Sequence, residues 1–143
     1  MNPEVCWQLL RMEDFTGPEM HEMLRIRCAV FVVEQRCFYQ DPDEIDEKAM
    51  HLVGRENGRL VAYGRYFPEG DWMRLGRVLT VPDRRGVGLG RALIAKALDH
   101  IGQGPVLIFA QSHLQRLYSE FGFVAVGDEF LEDGIPHRRM ERR

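Results

Sequence analysis

The chain has 143 residues, 45% hydrophobic and 29% charged, with a formal net charge of −3. That length suits one compact domain, residues 1–143, which can bury about two-thirds of its unfolded surface without metal or disulfide staples and has no room for a second catalytic domain. The near-balanced charge excludes a global basic field for nucleic acid or an anionic membrane, so any anion site must be local.

Cys6, Cys28 and Cys37 are odd in number and lack paired zinc spacings. No apolar run reaches the roughly 18–20 residues that span a bilayer, and Met1-Asn2-Pro3-Glu4 lacks a basic leader. The expectation is a cytoplasmic protein with no metal site.

In chain order, Val5 to Leu10 reads as a first strand. From Pro18 to about Gln35, apolar residues return every three to four positions, which predicts a helix with proline in its first turn. Asp41 to Glu47 interrupts the pattern with five acids in seven residues, an exposed loop or short helix. Met50–Arg55 and Arg59–Phe67 flank Asn57-Gly58, a pair suited to the positive φ angles of a two-residue hairpin turn.

A third extended run, Met73 to Val81, closes at Pro82. Leu89, Leu93, Ala97 and Ile101 then mark a helix ending at Gly102. Pro105 to Ala110 is continuously apolar, as in a strand buried on both faces. Ser112 is placed to cap a helix carrying Leu114, Leu117, Tyr118 and Phe121; Phe123–Phe130 and His137–Glu141 read as two final strands. The fold class is α+β, a mixed, mostly antiparallel sheet flanked by helices.

The segment Arg84-Arg85-Gly86-Val87-Gly88-Leu89-Gly90-Arg91 lies between a strand and a helix. A helix start leaves about four N–H groups unpaired with roughly half a positive charge, and glycines let an anion approach them. The segment lacks the Gly-Lys-Ser/Thr ending of a P-loop. Position 91 is arginine where the dinucleotide fingerprint requires glycine.

Arg85-x-x-Gly88-x-Gly90, the preceding Arg77-Val78-Leu79-Thr80-Val81 and the later Leu117-Tyr118-x-x-Phe121-Gly122-Phe123 resemble the GNAT family of acyl-CoA-dependent N-acyltransferases. The runs Arg27–Gln35, His51-Leu52 and Glu132–His137 are similar to its ElaA-like subgroup. The resemblance implies acetyl-CoA as cosubstrate, with Arg84, Arg85, Gly86 and Arg91 at its phosphates and backbone amides from about Val87 to Ala92, through Gly88, Leu89 and Gly90, cradling the pyrophosphate. It assigns Leu79, Thr80 and Val81 to the pantetheine arm through the main chain of Leu79 and Val81. It also places an oxyanion-binding amide near Val81 and a weaker contact at Gln111.

By the same resemblance Tyr118 is the leaving-group acid and no cysteine is a nucleophile. The base is open among Glu34, His51, Glu132, Asp133 and His137, with Glu34 and His51 preferred. Acids at 41–47 and 132–133 are expected to flank the acceptor entrance, favouring a small cationic amine. A protein N-terminus or lysine side chain is the second acceptor, and a non-catalytic acyl-CoA sensor the alternative outside enzymology. The resemblance leaves a homodimer open.

Overall fold

The first helix begins at a reciprocal cap. The Glu19 amide donates to the Thr16 hydroxyl at 3.2 Å and the Thr16 amide to the Glu19 carboxylate at 2.8 Å, satisfying two donors that a helix start leaves unpaired. In the computed structural model, which describes residues 4–143, α1 runs over Gly17–Arg27 and continues in wider π-helical turns over Cys28–Glu34. Met23, Ile26, Val30 and Phe31 form its buried face.

The strands are β1 (Cys6–Leu10), β2 (Met50–Glu56), β3 (Arg59–Glu69), β4 (Trp72–Thr80), β5 (Val106–Gln111), β6 (Val124–Glu132) and β7 (Ile135–Arg142), joined in one sheet of order β1-β2-β3-β4-β5-β7-β6. Every pairing is antiparallel except that of β4 with β5. Asn57 and Gly58 hold φ of 52° and 79°, the turn that their sequence predicts between β2 and β3. Asp133 and Gly134, at 52° and 76°, make the same turn between β6 and β7, so the last two strands are longer than their apolar runs suggest.

The helix α2 (Leu89–Ile101) buries Leu89, Leu93, Ile94, Ala97 and Leu98 against β3 and β4. A fully buried aliphatic side chain contributes about 1.5–3 kcal/mol, so this stripe fixes the α2 N-terminus against the end of β4. The helix α3 is one short segment, Gln115–Ser119. Ser112 does not cap it: a 3-10 turn over Ser112–Leu114 intervenes, and the buried Ser112 hydroxyl has no partner among the described residues.

Candidate functional site

The parallel pair β4 and β5 holds only at Met73 with Val106 and Arg74 with Leu107. Beyond that point a register shift places Arg77 and Val78 opposite the single residue Gly64 of β3. Arg77 takes a left-handed φ of 51°, a strained position for arginine, and is held there from outside the strand. Its Nε lies 2.8 Å from Asp41 Oδ1 and its guanidinium sits 5.5 Å over the Tyr39 ring. The strands diverge, and the gap opens into a cavity of about 230 Å³ whose walls include Tyr39, Arg77, Val78, Gln111, Tyr118 and His137.

The main chain of β4 departs by one residue from the sequence expectation. Val81 N–H donates to Val61 O at 2.9 Å, and strand alternation turns the Leu79 main chain toward β3 as well. Val78 and Thr80 turn theirs away from β3 instead, and the Thr80 carbonyl accepts from Arg85 Nε at 3.0 Å. The Val81 amide is thus already used and is not the oxyanion donor.

At the end of β4, Gly86 and Gly88 take φ of 81° and 90°, and a Cβ on either would meet nothing within 4 Å. Gly88 caps α2 without a side-chain acceptor. Among the described residues, the six successive amides from Gly86 to Arg91 have no partner; Ala92 leaves the expected row because its N–H makes the first helical bond, to Gly88 O at 3.0 Å. Six donors at a helix N-terminus over open space form an anion cradle.

The three arginines of the segment are not free cations. Arg84 is paired with Glu56 (2.8 Å), Arg85 with Glu34 through two contacts of 2.6 and 2.8 Å, and Arg91 with Glu120 (2.9 and 3.1 Å). The Arg85 and Arg91 pairs are solvent-exposed, a class worth about 0–1 kcal/mol, so an incoming anion displaces those carboxylates at little cost.

Neither preferred base stands at the cavity. His51 is fully buried, with Nε2 2.9 Å from the Asp46 carbonyl and Nδ1 2.6 Å from the Tyr63 hydroxyl. A carbonyl only accepts, so Nε2 carries the proton and the Nδ1 lone pair is taken by Tyr63. Burial further pushes its pKa down. Glu34 is not among the cavity's lining residues, and hydrogen bonds from Arg85 hold its carboxyl below the usual range.

Tyr118 lies on α3. It is 3% exposed, packs edge-on with Phe123 at 5.9 Å, and lines the cavity. Among the described residues its hydroxyl has no protein partner, yet it is not one of the sealed, unpaired polar atoms, so it faces the cavity. Burial raises its pKa, keeping the phenol protonated through neutral pH.

A model of the acetyltransferase (GNAT) domain matches residues 18–143. The chain belongs to the GNAT family. It is 39% identical to the protein ElaA of Escherichia coli strain K12, over 95% of each chain, and 44% identical to the UPF0039 protein sll0451 of Synechocystis sp., over 96% of this chain and 94% of the other. The crystal structure of an acyl-CoA N-acyltransferase from Pseudomonas aeruginosa superposes with a TM-score of 0.93 at 38% identity, covering 98% of this chain and all of that one. That of Escherichia coli ElaA gives 0.91 at 38%, with the same coverage. The protein is therefore an acyltransferase with the single-domain GNAT fold.

In this GNAT chain the acidic segment is not a charged mouth. Asp41 and Asp46 are buried against Arg27, at 2.7 Å each, and Asp43 and Asp46 accept from Arg65 at 2.6 and 2.7 Å. The cluster holds the loop that carries Tyr39, whose hydroxyl donates to Asp41 at 3.1 Å, and it fixes Arg77 at the β4 bulge. Only Glu132 and Asp133 of the expected acids line the cavity. Neither has an arginine or lysine partner among the described residues. Cys37 also lines it, its thiol donating to the Gln35 and Asp133 carbonyls at 3.4 and 3.5 Å, which ties the two loops together.

Proposed function

We propose that the protein is an acetyl-CoA-dependent N-acetyltransferase that moves the acetyl group directly to the primary amine of a small cationic molecule in a reducing cytosol. The observation that carries this reading is a cavity lined by Val78 and Tyr118 at the β4–β5 gap, with the unpartnered amides of Gly86–Arg91 following the end of β4. An acyl-CoA fits it by chemistry. Its diphosphate suits the amide row, with Arg85 and Arg91 released from Glu34 and Glu120, and its amide-bearing arm suits an unpaired strand edge.

When bound, acyl-CoA supplies the thioester carbonyl that the amine attacks. The chain's residues do the rest. Thr80 and Val78 align the arm through main-chain groups, Gln111 borders the same cavity, and Tyr118 donates a hydrogen bond to the departing sulfur. A phenol with an ordinary pKa of about 10 is a weaker acid than a thiol at about 8.5, and burial widens the difference. Tyr118 therefore stabilises sulfur first and passes a proton as the product nitrogen releases its own.

Unpaired Glu132 and Asp133 favour a cationic acceptor, and about 230 Å³ favours a small one. Free-thiol release from acetyl-CoA across a panel of amines tests the reading: thiol should appear only with an amine, polyamines ahead of neutral or acidic ones. Acetyl-CoA that binds without thiol release for any amine would mark a sensor, and activity confined to peptides would assign the acceptor to protein.

A further inference from the structure

Of the histidines in the chain, His137 alone lines the cavity that Tyr118 enters. It stands on β7 directly across from Gln111, the last residue of β5, the strand that leads into α3 and Tyr118. Its ring stacks on Phe130, 6.0 Å between centroids at 26°, and Phe130 meets Phe109 edge-on at 5.9 Å. These contacts fix the ring plane.

The hydrogen bonding fixes the tautomer. Nδ1 lies 2.7 Å from the Ile135 carbonyl, which only accepts, so the proton is on Nδ1 and Nε2 carries the lone pair. Nε2 has no hydrogen-bond partner among the described residues and is not a sealed polar atom. Its nearest charge is the Glu132 carboxylate at 3.6 Å, too long for a good hydrogen bond. Arg74, Arg77 and Asp133 are the other charged groups lining the cavity, and both arginines have carboxylate partners, Glu69 and Asp41.

We propose that His137 is the catalytic base of this acyl transfer, with Nε2 taking a proton from the acceptor ammonium; the assignment rests on the acetyltransferase reading above. One N–H proton of the ammonium moves to Nε2. The freed nitrogen pair forms the C–N bond to the acyl carbon as the C–S bond breaks and its electron pair goes to sulfur. A second N–H proton reaches that sulfur through the Tyr118 hydroxyl, and the imidazolium, held beside Glu132, returns its proton to solvent. No oxidant, metal or covalent acyl-protein step enters the balance.

The test compares wild type with His137→Gln on two probe acceptors at neutral pH: benzylamine, protonated there, and methoxylamine, already neutral. Base catalysis contributes about 10²–10⁴-fold, so kcat/KM for benzylamine should fall at least about 100-fold and that for methoxylamine by less than about 10-fold, with acetyl-CoA affinity by calorimetry unchanged. Added imidazole should restore part of the rate of His137→Ala. Equal losses on both amines, or no loss, would overturn the assignment while leaving the transferase intact. A wild type that acetylates neither these probes nor a polyamine would remove the underlying reading instead, and where only the polyamine reacts the loss of at least about 100-fold in His137→Gln is expected on it. Nitrogen-15 NMR is independent of turnover: the Nδ1–H tautomer is expected, and an Nε2–H tautomer would overturn the base role.

Discussion

At Tyr118, one side chain is packed in the core and also lines the cavity. Its spacing from Leu114 and Phe121 is that of a core residue, and it is indeed buried, against Phe123. What separates it from a plain core tyrosine is the unpaired hydroxyl turned to the cavity, a property of the fold that no local periodicity displays. Tyr118→Phe removes only that oxygen. We expect kcat to drop by about 10²–10⁴-fold with the acetyl-CoA dissociation constant unchanged within a few-fold, measured by steady-state kinetics and calorimetry. An unchanged kcat would end the leaving-group role. The same scale explains why Glu34 and His51 misled. Both residue types suit base catalysis, but Arg85 is 51 positions from Glu34 and Tyr63 is 12 from His51, so the partners that occupy them were invisible until the chain folded.

Among the elements, the glycine turn before α2 was the most legible, because alternating glycines between a strand and a helix have few physical uses besides exposing backbone amides. Two glycines in it separate strain from ligand approach. Gly88 holds φ at 90°, so Gly88→Val strains the backbone and fills open space beside the free amides; we expect acetyl-CoA affinity to fall at least about 10-fold in a protein that still folds. Gly90 has no such φ, and its Cβ would meet nothing nearer than Thr80 Oγ1 at 3.9 Å. Gly90→Ala keeps its amide and gains up to about 1 kcal/mol of helix propensity, so melting temperature should rise with little change in affinity. Equal affinity loss in both variants would contradict this division. Other elements were legible by the same chemistry, as at Asn57-Gly58. Asp133-Gly134 carries the same signal, but the apolar runs around it stop short and hid the hairpin. The π-helical turns after Arg27 left no trace, since a three-to-four-residue apolar spacing does not tell a normal turn from a wider one. The bulge at Arg77 had none either, because Asp41 rather than a turn-forming residue sustains its positive φ.

Over the whole molecule, the net charge of −3 conceals a buried ionic cluster. Five acids in seven residues read as a solvated run, yet Asp41, Asp43 and Asp46 answer Arg27, Arg65 and Arg77, which lie on three other segments. This cluster links stability to pH. Burial opposes the charged forms of Asp43 and Asp46, but hydrogen bonds and charge from Arg65 and Arg27 outweigh it and hold both pKa values below the ordinary range. Their stabilisation is complete above the unfolded value of about 4 and is lost as pH falls below it. His51 adds to the same side: burial lowers its pKa, so the unfolded chain binds more protons once pH drops below about 6.5. Melting temperature should hold near neutral pH, decline from about pH 6.5 and fall more steeply below about 4; a maximum near pH 5 in buffers of equal ionic strength would contradict the cluster's role. Glu132 and Asp133, which line the cavity with Tyr118, stand outside this cluster. The transfer itself is followed most directly with acetyl-labelled acetyl-CoA, mixed with the protein in the presence and absence of a polyamine. We expect the label in N-acetylated amine, one free thiol per product, and none on the protein. Bound acetyl-CoA that stays intact with every amine, or label retained on the protein, would contradict direct transfer.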